Sequence, residues 1–263
     1  MGKRSSARRL KNAQFDTSAY FEDEERATGK NVYPLDGGWH PDDRDRPQQQ
    51  FPKREQRYVK TVKPRSDNQA KLMKALAHQP LVAALGPAGT GKTYLAICAA
   101  VEALQAGRVA RIVLARPAVD AGEQIGFLPG GMEDKLAPFL RPLYDALSDR
   151  LSPKQLKDMI AEGLIEIAPI GFMRGRTLNN AYVVIDEAQN CTYAQLKMLL
   201  TRLGWHSTMV ITGDPAQSDL LPELSGLAAV ADKIDRMENV AVVRLAGEDV
   251  VRHPLVAEML GVL

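Results

Sequence analysis

From Ser66 onward, short unbroken apolar runs alternate with longer stretches of helical composition. Leu81–Leu85, Arg111–Arg116, Ile165–Pro169, Tyr182–Ile185, Thr208–Thr212 and Val240–Val243 read as strands. Their apolar character is nearly continuous rather than alternating, which marks strands covered on both faces. Asn68–Ala77 reads as a helix with Leu72, Met73 and Leu76 to one side, and Thr192–Leu203 as another. Thr93–Ala106 is helical and is stopped by Gly107. Glu133–Leu164 is helical in composition, with Pro138, Pro142 and Pro153 as interruptions. Strands alternating with helices predict an α/β domain over residues 66–263, built on a mostly parallel sheet with helices on both faces.

Residues 1–65 lack that periodicity. Lys3, Arg4, Arg8, Arg9 and Lys11 form a basic cluster, and Phe21–Glu25 is acidic. Pro34, Pro41, Pro47, Pro52 and Pro64 punctuate the rest. This segment reads as a mostly disordered arm. It carries 15 of the chain's 34 Lys+Arg and 10 of its 32 Asp+Glu, a local charge of +5, against −3 for the remainder. A basic arm of this kind either contacts nucleic-acid phosphates or is a solvated extension.

The whole chain has 263 residues, 45% hydrophobic and 25% charged, which is ordinary for a soluble globular protein of one or two domains. Cys98 and Cys191 lie far apart and make no metal-ligand spacing, so a reducing compartment is expected. No apolar stretch follows the basic start as a secretory signal would require, and no run has the length of a membrane span. The expectation is a cytoplasmic protein with no membrane partner.

Candidate chemistry gathers at the carboxyl ends of the strands, where ligands bind in such sheets. Gly86-Pro87-Ala88-Gly89-Thr90-Gly91-Lys92-Thr93 matches G-x-x-x-x-G-K-[ST], between a strand and a helix. Glycines admit a close backbone, successive N–H groups turn inward, and the helix dipole favours an anion. Lys92 would reach the outer phosphates of a nucleotide, and the Thr93 hydroxyl would hold Mg²⁺. A second motif, Tyr182–Gln189, ends a buried strand in Asp186 and Glu187. Asp186 would complete the Mg²⁺ shell, and Glu187 would polarise the attacking water. Adjacent strand residues point to opposite faces, which suits two separate tasks.

A third motif, Ile211–Gln217, offers Gln217 to the terminal phosphate or the attacking water. Asp214 supports either the metal shell or a neighbouring loop. Gln69 has the donor and acceptor to read the adenine edge, or is an ordinary solvated glutamine. Arg174, Arg176 and Arg252 are each candidates for the finger that neutralises transition-state charge, and the sequence does not choose among them.

In this order the motifs resemble the PhoH family of phosphate-loop ATPases. The resemblance takes in Arg116–Glu123, Gly126–Gly130, Arg141–Asp145, Met173–Leu178, Asp186–Asn190, Leu200–Gly204, Gly213-Asp214, Gln217, Ser225–Leu227 and Val250–Pro254. It begins near Asn68 and leaves the arm outside. The resemblance implies a RecA-like domain akin to the first such domain of superfamily-one helicases. It also implies ATP hydrolysis with Mg²⁺, coupled to RNA or single-stranded nucleic acid, with RNA helicase activity as one form of that coupling, and a link to phosphate starvation. Some relatives carry a ribonuclease domain ahead of the ATPase, but residues 1–65 lack the acidic constellation that cleavage needs.

The chain's aromatic content is only 6%, and the sequence shows no base-stacking platform. A groove lined by arginines such as Arg116, Arg174 and Arg176 is then expected to track a nucleic-acid backbone. Superfamily-one helicases complete their ATP site with an arginine from a second RecA-like domain. Residues 66–263 have room for one such domain, so a neighbouring subunit is the economical source. Head-to-tail contacts close into rings, and a homo-hexamer is expected. The competing readings are an ATP-driven ring that remodels protein or ribonucleoprotein, and a switch that holds ATP without hydrolysing it.

Overall fold

The computed structural model describes residues 61–117, 132–221 and 224–251, apart from the side chains of 132–139. The arm expected over residues 1–65 lies almost wholly outside this range, as does Arg252. Six strands form one sheet: β1 (Leu81–Leu85), β2 (Arg111–Arg116), β3 (Ile165–Pro169), β4 (Ala181–Ile185), β5 (Thr208–Gly213) and β6 (Val240–Arg244). Their order is β3-β2-β4-β5-β1-β6, and every pairing is parallel. The helices are α1 (Asp67–His78), α2 (Lys92–Gln105), α3 (Met132–Ser148), α4 (Pro153–Ala161), α5 (Tyr193–Leu200) and α6 (Leu227–Ile234).

The order explains the layering. Connections β1 to β2 and β2 to β3 step one way along the sheet, whereas β4 to β5 and β5 to β6 step the other way. Right-handed crossovers therefore put α2, α3 and α4 on one face and α5 and α6 on the opposite face. The packing agrees, since α2 lies against α3 and α5 against α6. The sheet is thus covered on both sides, as its continuous apolar strands require. Val82, Ala84, Ile112, Val113, Leu114, Val183, Val184, Ile185 and Val210 are fully buried. Each large aliphatic among them stabilises the fold by about 1.5–3 kcal/mol.

Two expectations needed revision. The helix over residues 133–164 does not break at Pro138 or Pro142, because α3 runs through both. Its later turns bury Leu140, Leu143, Tyr144 and Leu147, while Pro142 is exposed. That burial offsets the roughly 3 kcal/mol cost of a proline in a helix interior. Only Pro153 marks a boundary, at the start of α4 behind a Ser152–Gln155 capping box. Helix α6 was not foreseen; its Leu227, Val230, Ala231 and Ile234 face inward at helical spacing.

The two helices on that second face meet at Gly226, the residue before α6. A Cβ on Gly226 would lie 2.3 Å from Tyr193 N and 2.4 Å from Tyr193 Cα, both backbone atoms. Gly226→Ala is therefore expected to destabilise the fold by about 1–3 kcal/mol through overpacking. Urea denaturation should show a lower midpoint at unchanged slope.

Candidate nucleotide site

Strand β1 hands directly to the glycine loop. Gly86 adopts φ 139° and donates its N–H to Gly213 O at 3.1 Å. A Cβ there would sit 2.3 Å from Leu245 O, so only glycine passes between the ends of β5 and β6. Gly89 and Gly91 have φ of 86° and 84°, the left-handed region that favours glycine. The loop closes through Thr90 Oγ1, which donates to Pro87 O at 2.8 Å. Gly91 caps α2 without a side chain over the helix end, and the positive end of the α2 dipole faces the loop. Lys92 is 8% exposed, and its Nζ donates to Gly86 O at 2.5 Å and Pro87 O at 2.7 Å. The amine therefore lies inside the curve of Gly86–Gly91, the segment that would wrap a phosphate.

The carboxylate of Asp186 gathers the other elements. It is 3% exposed. Its Oδ1 accepts from Thr93 Oγ1 on α2 at 2.6 Å and from Thr212 Oγ1 on β5 at 2.7 Å. Arg116, at the end of β2, places Nη1 3.6 Å from Asp186 Oδ2. A buried carboxylate without such partners would cost several kcal/mol.

Glu187 was expected to part from Asp186 through strand alternation. It does not, because β4 ends at Ile185 and Glu187 stands on the turn beyond, at φ 52°. The left-handed turn, rather than the pleat, re-aims its carboxylate. Arg116 Nη2 lies 3.5 Å from Glu187 Oε1, so a single guanidinium spans both acids. Gln189 Nε2 donates to the other oxygen, Glu187 Oε2. Gln189 Oε1 in turn accepts from Asp214 N–H at 3.2 Å. A Cβ on Gly213 would come 2.7 Å from that Oε1, so Gly213 makes room for Gln189.

Asp214 is 9% exposed and holds its own turn, accepting Ala216 N–H at 3.0 Å on Oδ1 and Gln217 N–H at 3.0 Å on its carbonyl. That is the loop-supporting option of its two. Gln217 stands exposed on the same turn. Gln69 is not solvated: it is 4% exposed, donates from Nε2 to Thr90 O at 3.0 Å and accepts Arg65 N–H at 2.8 Å. It ties α1 to the glycine loop. Arg174 is exposed. Arg176 makes a bidentate pair with Glu166 of β3, at 2.5 and 2.7 Å, and this hydrogen bonding raises its pKa. Strand β2 separates that pair from the acids of β4. Arg116 belongs to the acidic pair, not to the expected groove of Arg174 and Arg176.

Sequence reasoning gave Arg116 to a nucleic-acid groove rather than to the acids, and gave Thr212 and Gln189 no role. All three sit at the carboxyl end of a strand or just past it, which was the available signal. It also missed a clamp formed by Asp249, which is 2% exposed. Asp249 Oδ2 accepts from Asn68 Nδ2 at 3.0 Å and Ala246 N–H at 2.7 Å. Burial pushes its carboxyl pKa up, but hydrogen bonds from Ser66, Ala246 and Asn68 and the charge of Lys71 outweigh this and hold it below the ordinary value. The clamp steadies the segment in which Val251 N–H donates to Gly89 O at 2.9 Å.

Residues 61–263 match the family described as PhoH-like protein. This chain belongs to the PhoH family. It is 51% identical over 201 residues to a PhoH-like protein of Mycobacterium leprae, covering 76% of this chain and 58% of the relative. It is 50% identical over 202 residues to a PhoH-like protein of Bacillus subtilis, covering 76% and 63%. It is 42% identical over 205 residues to Protein PhoH of Escherichia coli K12, covering 77% and 58%. The chain thus spans about three-fifths of the length of these curated relatives. Among solved structures it is similar to the large terminase of a thermophilic bacteriophage, at TM-score 0.49 and 13% identity over 75% of this chain and 50% of that one. It is also similar to the Pif1 helicase from Candida albicans, at TM-score 0.34 and 12% identity over 70% and 41%. The six-stranded parallel sheet, with its glycine loop between β1 and α2, is the α/β architecture that the sequence predicts. Among the described residues, no helix is long and apolar enough to cross a membrane.

Both cysteines are buried, Cys98 on α2 and Cys191 just past Asn190. Burial pushes the Cys191 thiol up to about 12 and raises that of Cys98 as well. A raised thiol pKa means less thiolate at any working pH. Iodoacetamide at pH 8 should therefore leave both cysteines of the native chain unlabelled within an hour, whereas urea-unfolded chain should label at both, as read by intact mass.

Proposed function

We propose that this chain is a Mg²⁺-dependent ATPase whose turnover is coupled to RNA or single-stranded nucleic acid. The observation that carries the reading is the meeting of Lys92, Thr93, Asp186 and Glu187 at the neighbouring ends of β1, β5 and β4. The residues present fit a nucleotide with its cation. The glycine loop turns through positive φ at Gly86, Gly89 and Gly91 around the Lys92 amine, and Asp186 is buried with its Oδ1 on the Thr93 hydroxyl. Among the described residues, no group of three or more His, Cys, Asp or Glu forms a metal cage. One carboxylate and one hydroxyl, completed by water and phosphate oxygens, is how Mg²⁺ is usually held.

Thr93 and Asp186 would hold Mg²⁺, which when bound neutralises charge on the outer phosphates. Lys92 exchanges the loop carbonyls for phosphate oxygens, so its charge follows the triphosphate. Gly89 to Thr93 supply backbone N–H groups at the positive end of α2. Glu187 accepts a proton from the attacking water, with Gln189 fixing the carboxylate through its second oxygen. Arg116 must loosen its hold on Glu187 Oε1 for Oε1 to reach water. Gln217 stands on the adjoining turn to contact the terminal phosphate.

Coupling to nucleic acid is supported by the family resemblance to helicases and by the charge of residues 1–65. For the finger, Arg174 is exposed, Arg176 is held by Glu166, and Arg252 follows the segment bonded to Gly89. Of the three, the exposed Arg174 is the one that a neighbour in a head-to-tail ring could present in trans, and a cytoplasmic homo-hexamer of that kind is the assembly proposed. The adenine contact is assigned to Gln69 through the hydrogen and lone pair that Thr90 and Arg65 leave to it.

Lys92→Ala should weaken binding of a fluorescent ATP analogue at least tenfold. Glu187→Gln should bind it as wild type does while phosphate release falls by two orders of magnitude or more. Normal turnover by Glu187→Gln would remove the general-base assignment. Single-stranded RNA should raise wild-type turnover, and the rise should fade as salt increases; no stimulation by RNA or single-stranded DNA at low salt would remove the coupling.

A further inference from the structure

At the opposite end of the sheet from the glycine loop lies a cavity of about 510 Å³. It opens between the end of α1, the turn after α2 and the turn before β5. The strands that separate it from the phosphate-binding end are five or six residues long, roughly 15–20 Å. Its lining includes His78, Arg108, Tyr182, Trp205, His206 and Ser207.

Trp205 is the unusual member. It is 81% exposed, the most exposed of the chain's large described hydrophobic side chains. Its backbone is nonetheless fixed on both sides. Trp205 N–H donates to Asn179 Oδ1 at 2.9 Å, and its carbonyl accepts Asn180 N–H at 2.9 Å and Ser207 Oγ at 3.2 Å. A Cβ on Gly204 would strike Asn179 Oδ1 at 2.2 Å and Leu178 O at 2.7 Å, so the preceding residue must stay small. His206 follows at φ 56°. A rigid turn thus holds the largest apolar ring in solvent, where it gains nothing for the fold.

Arg108 is the charged member of the lining, and no Asp or Glu is among the described residues there. The ion partner of Arg108 is Glu102 at 3.8 Å, with side chains 55% and 70% exposed, a surface pair that is readily exchanged. Tyr182 donates from its buried hydroxyl to Leu76 O at 3.3 Å and closes the floor; burial raises its pKa, so it stays neutral. A flat exposed ring, a cation within the same cavity and room for one nucleotide are the components of a single-strand binding site.

We propose that this cavity takes one nucleotide of a single-stranded nucleic acid, its base stacked on Trp205 and its phosphate on Arg108. The proposal rests on the nucleic-acid reading above and names the contact through which it acts. The sequence offered no stacking platform because a lone tryptophan in a turn has no pattern; only its exposure on a fixed backbone marks it.

The test uses the full chain carrying Trp39→Phe, so that Trp205 is the remaining one of its two tryptophans. Oligouridylate of twenty nucleotides is titrated, with indole fluorescence and the polarisation of a labelled oligonucleotide read in parallel. The indole should be quenched in step with binding. Trp205→Ala should weaken affinity roughly tenfold, and Trp205→Phe should restore most of it. Arg108→Ala should weaken binding and reduce the salt slope by about one. Neither variant should change ATP turnover without RNA. If the oligonucleotide binds wild type and both alanine variants equally, without quenching, the cavity is not the site although the nucleic-acid reading survives. If no oligonucleotide binds wild type, both fall. A quench that grows with protein concentration alone would assign the ring to contact between copies and overturn the proposal.

Discussion

One carboxylate organises the nucleotide end of this fold. Asp186 leaves β4 almost wholly buried and accepts the hydroxyls of Thr93 and Thr212, while Arg116 stands beside its second oxygen. Those contacts come from α2, β5 and β2, so the charge ties together the helix behind the glycine loop and the neighbouring strand ends. A buried anion of this kind is tolerated only while each partner stays in place. The position of Thr93, and with it the mouth of the loop, therefore depends on the register of three strands. The chemistry and the packing are one constraint at this point.

A second layer of contacts fixes what surrounds that charge. Gln189 links Glu187 to the backbone of Asp214, and Gly213 is bare because Gln189 fills the space its side chain would need. Asn68 and Asp249 hold the stretch after β6 against the start of α1, and Gln69 reaches from α1 to Thr90. Each of these joins parts of the chain remote in sequence. Each also has a buried member, Gln189, Asp249 or Gln69, so its loss would leave a buried polar group short of a partner.

Much of this was legible in the sequence, for identifiable reasons. Strands buried on both faces are written as unbroken apolar runs, so Leu81–Leu85 and Tyr182–Ile185 were readable with no knowledge of their neighbours. The glycine loop was readable because backbone approach and left-handed φ leave few other residues. Pairing was not readable, since register and order depend on contacts between segments a hundred residues apart. The prolines of α3 misled because local propensity yields to burial of Leu140, Leu143 and Leu147. Arg116 misled because an arginine at a strand end looks the same whether it faces solvent or a carboxylate. Arg176 was indistinguishable from Arg174 until Glu166 was found beside it.

The position of β1 has a consequence for how the molecule comes into being. Its strand neighbours are β5, residues 208–213, and β6, residues 240–244, so the chain's early core segment pairs only with late ones. Such long loops close slowly. During synthesis, the glycine segment would emerge from the ribosome well before the strands that shape it. Gly86 would then have neither the Gly213 carbonyl nor the Leu245 slot until residue 245 had been made. Nascent chains halted before β6 would thus lack a competent phosphate cradle, and affinity for nucleotide would be acquired only once the sheet had closed around β1.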